Sequence, residues 1–177
     1  MKVIILGGGQ VGYSIARYLA FEENDITIVD QSADLLRRIS DKIDIQPVVG
    51  FASHPNVLKQ AGAENADLLI AVTASDEVNM VACEVAQSIF QVQTKIARVR
   101  HQSYLKPAWS DMFHPSRLAI DVVISPEIEV AKSLSRSAQV VGAFEVIPLV
   151  CNHVKVIGVR CHSQSSLINT PYVCCQD

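Results

Sequence analysis

The stretch that decides the fold is MKVIILGGGQVGYSIA, residues 1–16. An apolar run over residues 3–6 leads directly into three consecutive glycines, and Gly12 follows near the start of a stripe of helical spacing. Gly7, Gly9 and Gly12 therefore fit the pattern G-x-G-x-x-G between a predicted strand and a predicted helix. In that setting the first glycine allows a tight turn, the second admits a pyrophosphate, and the third lets the helix pack on the sheet. The alternative is a tight turn with no ligand, and we favour the phosphate-binding turn.

Six short, β-branched apolar runs recur along the chain, with helical patterns between them. The predicted strands are VIIL (3–6), ITIV (26–29), IQPVV (45–49), LLIAV (68–72), KIARV (95–99) and VVIS (122–125). Strands and helices that alternate without long polar gaps predict an α/β fold, a Rossmann-like doubly wound parallel sheet of about six strands. The segments AQVVGAFEVIPLV and VKVIGVRC then alternate like antiparallel strands, joined by a turn at Asn152 and His153, which predicts the start of a smaller α+β subdomain.

These patterns divide the chain into three parts. Residues 1–125 form the predicted nucleotide-binding domain, residues 126–139 a crossover helix, and residues 140–177 an incomplete second subdomain. Helix N-caps are expected at Ser32, Ser53 and Asp76. The longest helix, from Glu77 to Phe90, is expected to bury one apolar stripe made of Val78, Val81, Val85 and Ile89.

Composition narrows the classes of partner. The chain has 177 residues, of which 49% are hydrophobic and 19% charged, with a formal net charge of −3. No run of lysine and arginine accompanies that charge, so nucleic acid is not an expected partner. No apolar stretch approaches the roughly 18 residues that span a bilayer, and no signal peptide is evident, so direct membrane insertion is not expected.

Five cysteines are present, and outside a secretory context they are expected to be reduced thiols. Four of them follow residue 150, near His153 and His162, without the C-x-x-C or H-x-x-x-H spacing typical of a metal site. We therefore expect no metal ion.

Polar residues follow the other predicted strands, at the edge where open α/β sheets bind ligands. Asp30 closes the second strand, where a carboxylate can accept hydrogen bonds from the ribose hydroxyls of adenosine. A 2′-phosphate would meet a like charge there, so NAD(H) is favoured over NADP(H). Phe51 follows the third strand, where an adenine could lie. Of Arg98 and Arg100, at the end of the fifth strand, we expect one to face the crevice, and favour Arg98.

An obvious catalytic group is missing from this pattern. The sequence has no Tyr-x-x-x-Lys pair, no serine nucleophile elbow, and none of its five histidines has a convincing acidic partner. Three hypotheses remain: a regulatory nucleotide sensor, an NAD-dependent oxidoreductase domain lacking its substrate domain, and an interaction module with a vestigial glycine loop. The intact Asp30 counts against the third.

A more specific pattern extends beyond the glycines. ILGGGQVG, Asp30, LKQAGAENADLLIAVTASDEVNMVAC (58–83), IARVR and VVISPE together resemble the RCK/KTN family of potassium-transport regulators. The resemblance implies a regulator rather than an enzyme, one that binds NAD(H) or else ATP/ADP in a Rossmann crevice. It also implies that the protein is cytoplasmic and forms a homodimer or larger ring. A potassium-translocating partner subunit is expected to hold it at the inner face of the membrane.

The resemblance also assigns residues. It places the glycine turn at the phosphates, Asp30 at the ribose, Thr73 near the ribose or nicotinamide side, and Arg98 near phosphate. The full predicted binding set is Gly7, Gly9, Gln10, Val11, Gly12, Asp30, Gly50, Phe51, Thr73 and Arg98. Asp76, Glu77 and Asn79 match the family signature and are expected to line the site with no further role.

The end of the chain departs from this family. Members resemble two such units in tandem, whereas this chain holds one unit and a fragment, and the residues after Pro171 fit poorly. We expect a truncated reading frame or a cloned fragment, and no function for Cys174 and Cys175.

Overall fold

A computed structural model describes residues 1–113, 117–138, 143–149 and 154–161 of the protein. Its strands are β1 (Lys2–Leu6), β2 (Asp25–Asp30), β3 (Gln46–Val49), β4 (Leu68–Ala71), β5 (Thr94–Arg98), β6 (Val122–Ile124), β7 (Ala143–Leu149) and β8 (Val154–Val159). Its α-helices are α1 (Gln10–Ala20), α2 (Ala33–Ser40), α3 (Pro55–Gln60), α4 (Asp76–Phe90) and α5 (Pro126–Ala138). Two 3-10 helices cover Ala63–Asn65 and Pro107–Phe113. The chain divides into two compact units, Met1–Pro126 and Glu127–Asp177.

The first unit is built on one six-stranded sheet with the order β3-β2-β1-β4-β5-β6. All neighbouring strands are parallel, and β1 pairs with β2 on one side and with β4 on the other. The predicted Rossmann-like, doubly wound α/β fold is therefore confirmed. The strand order reverses direction between β1 and β4, which is the point where sheets of this type bind ligands.

Alternate side chains of the central strands fill two separate cores. Ile4 and Leu6 of β1 belong to the core beneath α3 and α4, while Val3 and Ile5 belong to the core beneath α1 and α2. All four are almost fully buried. A strand covered on both faces buries successive side chains, which is why β1 reads as a continuous apolar run.

The buried face of helix α4 agrees only in part with the predicted apolar stripe. Val78 and Val85 are partly buried and pack against the core, whereas Val81 is 49% exposed and Ile89 is 55% exposed. The buried residues of α4 are Asp76, Asn79, Met80, Ala82, Cys83 and Ala86. Most of these side chains are small or polar, and small side chains let a helix lie close to a sheet.

Two of the three predicted N-caps are wrong by one residue. Ser32 caps α2 as expected, because its hydroxyl accepts a hydrogen bond from the Leu35 amide. For α3 the cap is His54 rather than Ser53, and for α4 it is Ser75 rather than Asp76. Asp76 is instead the first residue of its helix, where its charge complements the positive end of the helix dipole.

The second unit contains α5 and the antiparallel pair β7 and β8, which confirms the predicted change to antiparallel strands. Gly158 of β8 lies under the Phe144 ring, where an added Cβ would come within 2.8 Å of a ring carbon. The predicted turn at Asn152 and His153 lies outside the described residues.

Within the part of the chain that the structure describes, no helix is both long and apolar enough to cross a membrane.

Cys83 gives a direct check on the packing of α4. Its side chain is fully buried, and this burial raises the pKa of the thiol to about 12. Because only the thiolate reacts, we expect iodoacetamide near pH 8 to leave Cys83 unmodified in the native protein. Cys161 is exposed and is expected to be alkylated. Peptide mapping by mass spectrometry measures the alkylation of Cys83 and Cys161. In denaturant both thiols should react. Rapid labelling of Cys83 in the native protein would contradict this packing.

Candidate functional site

A cavity lies at the carboxyl ends of the parallel strands and crosses the switch point between β1 and β4. Its volume is about 590 Å³. It is lined by Gly7, Gly9, Gln10, Val11, Val29, Asp30, Gln31, Leu35, Gly50, Phe51, Ala52, Val72, Thr73, Ala74, Ser75, Val78, Arg98 and Arg100. We call this cavity the crevice. Its location is the one predicted for the ligand of an open α/β sheet.

The glycine turn between β1 and α1 has three glycines with different physical roles. Gly7 has φ +103°, a left-handed conformation that favours glycine. At Gly12 an added Cβ would lie 1.9 Å from the Gly7 carbonyl oxygen, so no side chain fits between helix and turn. At Gly9 an added Cβ would meet nothing within 4 Å, because this position faces open space in the crevice.

Nine of the ten predicted binding residues line the crevice, and Gly12 does not. Gly12 is buried against the Gly7 carbonyl, where it lets α1 lie close to the turn, the packing role that the G-x-G-x-x-G pattern predicts for its third glycine.

The amino end of α1 is suited to an anion. Its N-cap is Gly9, which supplies no side-chain cap, and no acidic residue lies in the first turn. By contrast, α4 is capped by the Ser75 hydroxyl and carries two acids in its first turn. Amide groups at the end of a helix together with the helix dipole form a ready binding site for phosphate.

Asp30 is held in a fixed orientation beside this turn. Its Oδ2 accepts a hydrogen bond of 2.7 Å from the Gly8 amide, and its Oδ1 accepts one of 2.9 Å from the Ser32 amide. Each carboxylate oxygen has a second lone pair. The carboxylate can therefore accept hydrogen bonds from two neighbouring hydroxyls without losing its anchors.

An aromatic surface lies on the β3 side of the crevice. Phe51 is 40% exposed and stacks on the His54 ring, with centroids 5.1 Å apart and planes at 23°. Gly50 has no room for a side chain, since an added Cβ would lie 2.6 Å from a Val57 methyl. A flat ligand group can stack on such a surface.

Both arginines at the end of β5 line the crevice, which corrects the expectation that only one would. Strand β5 ends at Arg98, so Arg100 follows the strand and strand alternation does not separate the two side chains. The Nε of Arg98 is buried without a hydrogen-bond partner. Arg100 is engaged: its Nε lies 3.6 Å from Asp76 Oδ1, and an amino group donates to the Ala74 carbonyl.

Asp76, Glu77 and Asn79 are not among the crevice-lining residues, contrary to expectation. Asp76 Oδ2 instead accepts hydrogen bonds from the backbone amides of Arg100 and His101, at 2.9 and 2.8 Å. Glu77 accepts a hydrogen bond from the Ser75 hydroxyl, the main cause that lowers the pKa of its exposed carboxyl.

Sequence reasoning missed several lining residues. They are Val29, Gln31, Leu35, Ala52, Val72, Ala74, Ser75, Val78 and Arg100. Most flank residues that were predicted, so strand-end position alone could have identified them. Leu35 and Val78 are contributed by helices, and only the three-dimensional packing brings them to the crevice.

Outside the crevice, the described residues form fewer features that could bind a ligand. A cavity of about 350 Å³ lies at the opposite edge of the sheet, near the start of β1 and β2. Among the described residues there is no group of three histidine, cysteine, aspartate or glutamate side chains that could hold a metal ion. Cys151, Cys174, Cys175, His153 and His162 lie outside the described residues.

The sheet order, the glycine turn at the switch point and the strand-end carboxylate define the class: a Rossmann-like domain with a ligand crevice. Residues 3–126 match the model of the TrkA-N domain. The chain belongs to the TrkA-N domain family.

A curated relative supports the same placement. The chain is 48% identical over 171 residues to the Trk system potassium uptake protein TrkA of Azorhizobium caulinodans. That match covers 97% of this chain but only 37% of the relative, so this chain spans little more than a third of its length.

Two solved structures share the fold. The AMP-bound form of the Shewanella denitrificans Kef CTD has a TM-score of 0.62 at 22% identity, covering 78% of this chain and 80% of that one. The GsuK channel bound to NAD has a TM-score of 0.63 at 16% identity, covering 84% of this chain and 25% of the channel.

The different roles of Gly12 and Gly9 can be separated by two alanine substitutions. We expect Gly12→Ala to lower the free energy of unfolding by about 1–3 kcal/mol, because its Cβ overlaps the Gly7 carbonyl. Gly9→Ala meets open space, so we expect a loss below about 1 kcal/mol, the scale of an N-cap change. Urea unfolding of both variants measures the difference. Equal losses would show that the two glycines do not differ in packing.

Proposed function

We propose that the crevice binds an adenine nucleotide, NAD(H) in preference, with ATP or ADP as the alternative. The observation that carries this proposal is the carboxylate of Asp30, anchored by two backbone amides next to an uncapped, glycine-rich helix start. The ribose diol and the diphosphate of a nucleotide are the two groups that these features would bind. Phe51 offers a surface for the base.

The charged groups of the crevice fit the same ligand. Its lining holds one carboxylate, Asp30, and two guanidinium groups, Arg98 and Arg100. Both guanidinium groups can donate hydrogen bonds to oxygen atoms of such a ligand. Structural neighbours named as bound to AMP and to NAD add support, since they share this fold.

We further propose that the chain acts as a regulator and not as an enzyme. The relative named as a potassium uptake protein supports a role in controlling a Trk-type, potassium-translocating membrane subunit. In this proposal the chain is cytoplasmic, assembles as a homodimer or higher ring, and is held at the membrane by that partner. Different nucleotides would favour different arrangements of the assembly and so change the activity of the transporter.

The binding step is tested by isothermal titration with NADH, NAD, ATP, ADP and NADPH, using Asp30→Asn as the variant. Asparagine keeps the size of the side chain but replaces one carboxylate oxygen by a donor that opposes the Gly8 or Ser32 amide. We expect NADH affinity to fall about ten- to a hundred-fold, the scale of hydrogen bonds to a charged group. NADPH should bind the wild type more weakly than NADH, because its 2′-phosphate meets the Asp30 charge.

The matched control is Asp25→Asn. Asp25 begins the strand that Asp30 ends, and it lies by the cavity at the opposite edge of the sheet. The change in net charge is the same, so an affinity loss in both variants would indicate a general electrostatic effect. Absence of binding to any of the five nucleotides would overturn the proposal.

The regulatory step is tested by potassium uptake into proteoliposomes that contain a Trk-type membrane subunit. We expect uptake to depend on NADH or ATP only when this chain is added, and Asp30→Asn to abolish the nucleotide response. A nucleotide response without the chain, or none with it, would contradict a regulatory role. Oxidation of NADH by the chain would favour an oxidoreductase instead.

A further inference from the structure

Asn79 is a fully buried polar residue behind the crevice, on the second turn of α4. Asn79 itself does not line the crevice. A buried amide is stable only when its donors and acceptors are all satisfied. Its hydrogen bonds therefore show what it holds in place.

Every bond of the Asn79 amide reaches a crevice residue. Its Oδ1 accepts from the Thr73 backbone amide at 2.9 Å and from the Thr73 hydroxyl at 2.7 Å. Its Nδ2 donates to the Arg98 carbonyl at 2.9 Å and to the Thr73 carbonyl at 3.5 Å. Two lone pairs and two protons are the full capacity of an amide side chain.

These bonds join the ends of two neighbouring strands. Thr73 follows β4 and Arg98 ends β5, and both line the half of the crevice on the far side of the switch point from Asp30. The Asp30 half has its own anchors in the Gly8 and Ser32 amides. The two halves of the crevice are therefore fixed by separate sets of hydrogen bonds.

We infer that Asn79 is a positioning residue that shapes the β4–β5 half of the crevice for the second nucleoside of a dinucleotide. This inference rests on the proposed function. The adenosine and diphosphate of a bound nucleotide lie over the glycine turn and Asp30, which Asn79 does not contact. A ligand with a further nucleoside must also occupy the surface formed by Thr73 and Arg98, and only that part depends on Asn79.

The test is the ratio of NADH affinity to ADP affinity, measured by isothermal titration on the wild type and on Asn79→Asp. The substitution keeps the side-chain size and the acceptor oxygen but removes both donors, so the Arg98 and Thr73 carbonyls face a carboxylate oxygen. We expect NADH to lose about tenfold more affinity than ADP, the scale of one buried polar group left unpaired. Asn79→Ala serves as a second variant with no buried charge, and the same direction of change is expected.

The matched control is Cys83→Ser on the same helix. Cys83 is fully buried one turn further from the crevice and does not line it, so serine there disturbs α4 packing without touching Thr73 or Arg98. We expect this variant to lower the thermal unfolding temperature and to leave the NADH to ADP ratio unchanged. A ratio that shifts equally in the control would assign the effect to general destabilisation and overturn the inference.

Other outcomes distinguish failure of the positioning role of Asn79 from failure of nucleotide binding. If Asn79→Asp and Asn79→Ala leave the ratio of NADH to ADP affinity at its wild-type value, the positioning role is wrong and nucleotide binding stands. This holds both when the two affinities fall together and when neither falls. If the wild type binds none of the five nucleotides, the proposed function itself is overturned, and the present inference with it; if it binds ADP or ATP but not NADH, the present inference alone is overturned.

Discussion

Helix α1 approaches the turn after β1 so closely that a Cβ at Gly12 would lie 1.9 Å from the Gly7 carbonyl oxygen. This close approach fixes the position of the helix start, and with it the direction in which the uncapped amides of α1 point. Gly9, next to them, leaves open space in which a ligand can approach the backbone. In the same turn, the Gly8 amide donates a hydrogen bond of 2.7 Å to Asp30, and this bond orients the carboxylate. The glycines and the acid therefore form one structural unit rather than two separate features.

The two sides of the crevice are organised on a common physical principle. On the β2 side a carboxylate that faces the crevice is held by two backbone amides. On the β4–β5 side a buried amide, Asn79, holds the backbone of two residues that face the crevice. In both cases polar groups of the protein fix the site in advance, so a ligand need not order it on binding. Asp76 extends this arrangement by anchoring the segment after β5 through two backbone amides.

Features with local causes could be predicted from the sequence. The central strands β1, β2 and β4 read as apolar runs because they are buried on both faces, and the glycine turn with Asp30 fits a sequence pattern with a known spacing. The buried face of α4 could be predicted only in part, because most of its residues are small or polar while Val81 and Ile89 of the apolar stripe are exposed. The roles of Asp76 and Asn79 depend on partners up to 25 residues away in sequence, which no periodicity reveals. The expectation of a single crevice-facing arginine failed because it relied on strand alternation: β5 ends at Arg98 and Arg100 follows it, and even within a strand positions two apart share a face.

A cavity assembled from the ends of several strands exists only while the sheet is intact. Any molecule that occupies it binds the folded chain and not the unfolded one, so occupancy adds to folding stability by mass action. At a hundred times the dissociation constant this contribution is about 2.7 kcal/mol, a substantial part of the 5–15 kcal/mol typical of a domain. With a nucleotide as the proposed ligand, the lifetime of the chain against proteolysis would depend on the nucleotide concentration. A cell that depletes the ligand would alter the amount of the protein as well as its state.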